Sequence, residues 1–441
     1  AYGGIYDHIG GGFSRYSVDK KWHVPHFEKM LYDNAQMVSL YSNAYLATKD
    51  NLYKEVVTQT LAFVARECTN SEGAFYSSFD ADSLTQDGDL EEGAYYVFTK
   101  EELTKELGED VELFSTYYNI NSFGLWENNH YVLIRSKSDP EVCAAFGITN
   151  QELQNKKEAW RKALLSYRNK RDKPRLDDKI LTSWNGLMLK GYVDAYKAFQ
   201  EPAYLQAALK NAHFIKSKQW QTSGALFHSH KDGKSTINGY LEDYAAVIDA
   251  YIGLYEITLD DQWLLIANEL TSYTYGHFFD SEKQLFYFTN DQDPSLITRS
   301  FEYRDNVIPA SNSMMAKNLY VLSHHFDNQT YGATASQMLK NVLPEIEKYP
   351  SGFSNWLDLL ANFQNSFYEI VVVGEDAQQK VKEIHQYYLP NKLVAGSTKA
   401  GNSPLLEQRF IENETFVYVC VNNACKMPET EVSKAIDLIE L

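Results

Sequence analysis

A toroid of antiparallel helix pairs with a small α/β subdomain at its C-terminal end is the fold class this sequence predicts. Three observations carry that expectation. A helix–helix–hairpin module recurs along residues 1–366. The first helix of each copy opens beside an asparagine or aspartate, and from residue 367 the pattern turns to strand–helix–strand. Modules of this kind bury a continuous core only by stacking on one another, so a ring of hairpins satisfies them all.

The first copy follows the stretch Trp22-His23-Val24-Pro25-His26-Phe27-Glu28-Lys29-Met30-Leu31-Tyr32-Asp33-Asn34. Proline has no backbone donor and disfavours helical geometry in the residue before it, so Pro25 keeps the first half of this stretch out of a helix. A helix is expected from Tyr32 to about Thr48, a second from Leu52 to about Cys68, then a hairpin strand at Gly73 to Phe79 before the acidic Asp80-Ala81-Asp82. The second copy runs from Ser183 to Phe199, from Glu201 to about Trp220, and through Gly224 to His230. The third opens at Leu241-Glu242-Asp243-Tyr244 and the fourth at Ser311-Asn312-Ser313.

Asn34, Asn185, Asp243 and Asn312 therefore sit where an N-cap or first-turn residue is wanted. Asn185 and Asp243 are 58 residues apart, Asp243 and Asn312 69, and Asn34 and Asn185 151, which leaves room for a degenerate pair around residues 98–172. Upstream, Gly3-Gly4 and Gly10-Gly11-Gly12 mark backbone that turns tightly or approaches something closely. No Gly-Lys-Ser/Thr follows, so this is not a phosphate loop. Beyond residue 367, Tyr368 to Gly374 reads as a buried strand and Ala377 to Tyr388 as a helix. Lys392 to Ala395 and Phe416 to Val421 complete the α/β subdomain, residues 367–441.

The net charge of −18 and the lack of a Lys/Arg block exclude nucleic acid as a partner. No apolar run reaches the length of a membrane span. Four cysteines in 441 residues are too few for a disulfide framework, which points to a reducing, cytoplasmic setting; Cys420 and Cys425 are close enough to form a redox pair or half of a metal site. Thirty-two tyrosines and seven tryptophans suit both helix packing and stacking on sugar faces.

If the first helices line the ring, their N-termini share one rim, where helix dipoles and loops build a cleft. Carboxylates are plentiful there: Glu28, Asp33, Asp80, Asp82, Glu91, Glu92, Glu242 and Asp243. His8, His23, His26, His228 and His230 add groups that titrate near neutrality. Acid–base work on a sugar is the expected chemistry, carried by His26, Glu28, Asp33, Asp82 and Asp243. His8, His23, Trp184, Asn185, Tyr244, Arg304 and Asn312 are expected to bind substrate, a small sugar or an oligosaccharide. His23 and His26 have no third ligand nearby, so neither a metal nor a cofactor is expected.

Several runs together resemble one family. They are Ile5-Tyr6-Asp7-His8-Ile9-Gly10-Gly11-Gly12-Phe13, His26-Phe27-Glu28-Lys29-Met30-Leu31-Tyr32-Asp33-Asn34-Ala35, Leu181-Thr182-Ser183-Trp184-Asn185-Gly186 and Ile308-Pro309-Ala310-Ser311-Asn312-Ser313. With Tyr418-Val419-Cys420 and Cys425 they are similar to the thioredoxin-domain-containing, spermatogenesis-associated protein 20-like family. The resemblance implies an (α/α)6 toroid related to six-hairpin glycosidases and N-acylglucosamine 2-epimerases, preceded by a thioredoxin-like domain. That domain and the first few toroid helices are not seen in this sequence, where about ten of twelve helices are expected. The resemblance bears on the fold more than on the reaction. The convergent acids, histidines and tryptophan at the rim point to glycoside hydrolysis first and sugar epimerisation second, with a non-catalytic binding or scaffold toroid for the thioredoxin-like domain as the remaining alternative.

Overall fold

The computed structural model describes residues 1–85, 87–294 and 298–440, so the last position of the expected subdomain, 441, lies outside it. The chain divides into two compact units. The first comprises Ala1–Val38, Asn51–Thr69 and Phe75–Asp178, and the second Ser39–Asp50, Asn70–Ala74 and Lys179–Leu441. The expected class is the one observed: mainly α, made of helical hairpins, with an α/β layer near the C-terminus. Among the described residues no helix is long and apolar enough to cross a membrane.

In the first unit the short strands β1 (Tyr16–Ser17), β2 (Pro25–His26) and β3 (Lys29–Met30) lead into α1 (Leu31–Thr48), which crosses into the second unit, and α2 (Asn51–Phe63) follows. Strand β4 (Ser78–Phe79) pairs with β3, and β5 (Asp82–Leu84) with β6 (Leu90–Glu92). The stretch expected to hold one degenerate pair holds four helices. They are α3 (Lys100–Leu107), α4 (Val111–Tyr117), α5 (Asp139–Phe146) and α6 (Asn150–Arg168), with β7 (Phe98–Thr99) and β8 (His130–Tyr131) alongside and β9 (Leu176–Asp177) closing on β4. Capping boxes at Thr99 and Thr149 start α3 and α6. Phe114, Leu153, Trp160 and Leu164 are buried together between these helices.

The main run of the second unit, from Lys179, opens with β10 (Ile180–Leu181) and α7 (Thr182–Phe199), then α8 (Pro202–Phe214) and the hairpin β11 (Phe227–Lys231) and β12 (Lys234–Asn238). Next come α9 (Leu241–Thr258), α10 (Asp261–His277), the short hairpin β13 (Phe279–Asp280) and β14 (Leu285–Phe286), α11 (Ser311–Phe326), α12 (Gln329–Ile346) and α13 (Ser354–Gln364). Helix α9 lies between α7 and α11, and each of these first helices packs on its own follower. Gly186 permits the close approach, since a Cβ there would lie 2.8 Å from the Ala246 backbone. Helix α9 is buried nearly all round, as a helix flanked on several sides must be.

Four first helices end alike. Lys49, Gln200, Leu259 and Asp327 all adopt left-handed geometry, with φ between 48° and 59°, and each backbone N–H turns back to the carbonyl four residues earlier. The next helix starts within a few residues, so a left-handed residue makes the corner without the usual glycine. The second helices of the first two copies also end alike, each in a π-helical turn: Val64–Cys68 and Ile215–Gln219, 151 residues apart. Gly73 and Gly224, at φ 90° and 91°, occupy the same place in the turn that follows.

The C-terminal layer has strand order β16-β15-β17-β18: β15 (Tyr368–Val373), β16 (Lys392–Ser397), β17 (Phe416–Val421) and β18 (Ala424–Cys425). Strand β15 is fully buried, parallel to β16 and antiparallel to β17. Helices α14 (Ala377–Ile384) and α15 (Val432–Ile436) cover it. Glu256 of α9 takes the Val394 N–H at 3.0 Å and pairs with Lys197, which ties this sheet to the helical hairpins. Cys420 and Cys425, read from the sequence as a redox pair or half of a metal site, are joined in a disulfide.

Candidate functional site

The stretch from His23 to Met30 alternates strictly between buried and partly open residues. An extended chain sends successive side chains to opposite faces, and that sorts the motif. His23, Pro25, Phe27 and Lys29 point inward, while His26 and Glu28 face the open side. His23 therefore differs from its expected binding role: its Nε2 meets the Gly124 carbonyl at 3.2 Å and its ring stacks on Phe123. His8 is likewise a packing residue, buried against Tyr6 and Tyr118, and burial together with Arg135 pushes its pKa down to about 3.

Lys29 enters a buried charge cluster. Its Nζ donates to Asp7 Oδ2 at 2.8 Å and to the Gly11 carbonyl at 2.9 Å, and Arg168 grips Asp7 with both terminal nitrogens, at 3.0 and 2.9 Å. Burial opposes ionisation of Asp7, but Arg168 and Lys29 outweigh it and hold the carboxyl well below the usual range. For Lys29 burial wins over Asp7, and its pKa falls to about 8. The glycines nearby approach the chain itself: a Cβ at Gly10 would lie 2.0 Å from the Arg168 guanidinium.

On the open side, His26 Nδ1 lies 2.8 Å from Glu92 and Nε2 3.8 Å from Glu28, with the ring stacked on Tyr16. Arg15 pairs with Glu28 at 3.2 Å. One turn on, Asp33 has a buried Oδ2 without a hydrogen-bond partner. Burial raises its pKa to about 7, with Arg15 opposing and Glu28 adding. Asp82 stands apart, exposed on β5 opposite Glu92. Glu92 also borders a cavity of about 1000 Å³ within this unit, alongside Pro25, Trp126, His130 and Arg171.

In the second unit the polar side chains converge at the start of α9. Asp243 is fully buried: it accepts from the Ser183 N–H at 2.8 Å and the Tyr240 N–H at 2.8 Å, and it meets His228 Nδ1 at 2.9 Å. It thus caps its own helix, fastens the first turn of α7 and orients an imidazole. Beside it, Glu242 has its pKa raised to about 7, first by burial and then by the charges of Asp243 and Glu302; His228 and Ser183 pull the other way. Burial disfavours the His228 imidazolium, but Asp243 outweighs that and raises its pKa. Ligand-type atoms of His228, Glu242 and Asp243 all lie within 4.8 Å of one another, the grouping among the described residues able to hold a metal. Asp243 already spends both oxygens on donors, so His228 and Glu242 would supply the open ligands. Tyr240 packs on His228 at 4.7 Å and stacks on Phe288 at 5.0 Å, so aromatic rings stand beside the cluster.

The other expected contacts serve the scaffold. Asn312 takes the Phe286 N–H and donates to the Phe286 carbonyl, both at 2.8 Å, and donates again to Glu302. Asn34 clamps Phe13 in the same way, at 2.7 and 3.1 Å. These amides fasten the preceding backbone to the helix start rather than capping the helix. Asn185 donates to the Leu181 carbonyl and accepts from Asn211, again inside the core. Tyr244 is buried with its hydroxyl on the Leu226 N–H and its ring stacked on Tyr273. Arg304, 65% exposed, pairs with Glu345 at 2.6 Å. Trp184 sits half-buried on the first turn of α7.

Glu242 and His228, present in the sequence only as members of longer sets of acids and histidines, are thus more central than Asn185, Tyr244 or Asn312. The adjacent acids Glu242-Asp243 were a usable signal, since two carboxyls at one helix start cannot both ionise freely. Human spermatogenesis-associated protein 20 is 31% identical over 476 residues, covering 98% of this chain and 60% of that protein. The chain is a homologue of spermatogenesis-associated protein 20. The mouse protein is 30% identical over the same shares. The chain thus spans about three fifths of the length of these curated relatives. No protein-family model matches it. Among solved structures it is similar to cellobiose 2-epimerase from Bacillus thermoamylovorans, with a TM-score of 0.48 and 12% identity over 77% of this chain and 66% of that one. A GH76 α-mannanase from Bacteroides thetaiotaomicron gives 0.41 and 13% over 81% and 73%.

Proposed function

We propose that this chain is an acid–base enzyme acting on a carbohydrate, with Glu242 as proton donor and His228, oriented by Asp243, as the second proton carrier. The observation that carries this reading is the pair of adjacent carboxyls with separated roles. Asp243 is held by three donors, while Glu242 keeps its proton up to about pH 7. A carboxyl that keeps its proton beside an imidazole that gains one more readily, as Glu242 and His228 do, is how one site runs acid and base steps together. The stacked rings of Tyr240 and Phe288 put aromatic side chains of the kind that pack against a pyranose next to these groups, and the resemblance to six-hairpin glycosidases and N-acylglucosamine 2-epimerases supports the substrate class.

Hydrolysis needs a second carboxylate across the bond, about 5–5.5 Å away for retention or about 6.5–9.5 Å for inversion. Glu302, whose charge is felt at Glu242, is the residue on offer. Epimerisation needs two proton carriers near one carbon, and His228 within 4.8 Å of Glu242 favours this second reading. In the longer relatives a thioredoxin-like domain would be the neighbour of this enzyme.

A sugar panel followed by proton NMR in D2O separates the readings. Loss of the C2 proton signal marks epimerisation, and new reducing ends mark hydrolysis. Either is expected to disappear in Glu242→Gln and His228→Ala. Turnover unchanged in both variants would sink the roles given to Glu242 and His228, and no binding or turnover of any sugar by the parent chain would leave the scaffold reading.

A further inference from the structure

The Cys420–Cys425 disulfide takes no part in the proton-transfer cluster, and its two sulfurs live in different surroundings. Strands β17 and β18 form a hairpin at the edge of the C-terminal sheet, with Cys420 directly opposite Cys425. Asn422 and Asn423, at φ 50° and 64°, make the two-residue turn between them. Cys420 is fully buried, whereas Cys425 is exposed at the sheet edge. The Arg409 guanidinium donates to Cys420 Sγ at 3.4 Å and lies over the Tyr418 ring.

The turn has an anchor that does not depend on the sulfurs. The Asn423 N–H donates to Glu369 Oε2 at 3.0 Å, and the other oxygen of this buried carboxylate meets His324 Nδ1 at 2.7 Å. Breaking the S–S bond therefore leaves the hairpin in register.

We infer that this pair is a thiol–disulfide exchange site, with Cys425 the sulfur attacked and Cys420 the sulfur that leaves. Exchange runs by in-line attack of a thiolate on an accessible sulfur, and it is faster when the departing thiolate is stabilised. Access selects Cys425, and the Arg409 cation at Cys420 stabilises the departing charge. The thiolate of a dithiol forms a bond to Cys425 Sγ as the Cys420–Cys425 bond breaks, leaving Cys420 as thiolate. The second thiol of the reductant, once deprotonated, attacks its own sulfur in the mixed disulfide and releases Cys425 as thiolate. The reductant becomes a disulfide, the chain becomes a dithiol, and two electrons pass between them. The co-substrate class is thus a dithiol, small or carried by a protein.

Reduced glutathione is the probe: as a monothiol it has no second sulfur of its own to resolve the mixed disulfide, and a rapid quench traps the adduct before Cys420 or a second glutathione displaces it. The native chain is exposed to it, quenched with acid, alkylated with N-ethylmaleimide and digested for mass spectrometry. The glutathionyl adduct is expected on Cys425 and the maleimide on Cys420, and this arm needs no variant. With dithiothreitol, Arg409→Gln is expected to slow release of the two thiols about tenfold, and Arg409→Lys to recover part of the rate. An adduct on Cys420, or both cysteines alkylated before any reductant is added, overturns the proposal. So does an unchanged rate in an Arg409→Gln protein that melts like the parent.

Discussion

Asp33 and Glu242 occupy matching places, each in the first turn of a first helix and each with its pKa raised to about 7, yet their surroundings differ in kind. At Asp33 burial acts against Arg15, with Glu28 adding, and the open-side histidine of that stretch, His26, is engaged with Glu92. At Glu242 the neighbouring charge is Asp243, itself tied to His228, so a proton carrier and an oriented imidazole share one helix start. The lesson is that a raised carboxyl acquires a direction for its proton only from its neighbours. The first region looks inward as well, because Lys29 in the same stretch belongs to the buried Asp7–Arg168 cluster.

The largest expected effect tests which carboxyl does chemistry. On any sugar that is turned over, Glu242→Gln should lower kcat/KM by about 10²–10⁴-fold, the usual scale for a general acid. Asp33→Asn should cost under about tenfold by the same measurement, and the reverse order would exchange their roles. Stability should show the opposite asymmetry. Asp7→Ala leaves Lys29 and Arg168 buried without their anion and should cost about 3–5 kcal/mol in urea denaturation. Arg304→Ala breaks an exposed pair and should stay within about 0.5 kcal/mol. Between these, Asn34→Ala and Asn312→Ala should each cost about 1–3 kcal/mol, one clamp in either region.

Acidity gives a smaller and more diagnostic readout. Each raised carboxyl binds its proton more tightly in the folded chain than in the unfolded one. Its contribution to stability is therefore present below the ordinary carboxylate range and is lost as pH climbs toward about 7. Asp33→Asn and Glu242→Gln should thus raise Tm at pH 8 relative to the parent, with the gain vanishing near pH 4. Smallest are the shifts between neighbours, read by carboxyl carbon NMR. Asp243→Asn should lower the pKa of Glu242, and Arg15→Gln should raise that of Asp33, each by about one unit.

Much of this architecture was legible from residue patterns. The 151-residue offset between Asn34 and Asn185 recurs in the π-turns and in Gly73 and Gly224, because a repeated packing problem is met by repeated local geometry. The four helices between Lys100 and Arg168 were compressed into one degenerate pair, since α3, α4 and α5 are too short to show a clear 3.6 period. At the site, residue type alone misled. Asparagine near a helix start suggests a cap or a ligand, yet Asn34 and Asn312 bind backbone that arrives from 21 and 26 residues earlier. A burial alternation is visible only with the strand in hand, and it separates His26 from His23 where composition cannot.

The four left-handed corners have a consequence for how such a chain can change. Lys49, Gln200, Leu259 and Asp327 fix where each first helix stops, so the hairpin is measured from that end. Length added at the opposite end, before Asn34, Asn185, Asp243 or Asn312, need not disturb the corner. New loops can therefore accumulate at the end that carries Glu242 while the corners keep their geometry. A glycine at Leu259 should even relieve some backbone strain there. One end of each hairpin acts as a ruler and the other as a drafting surface.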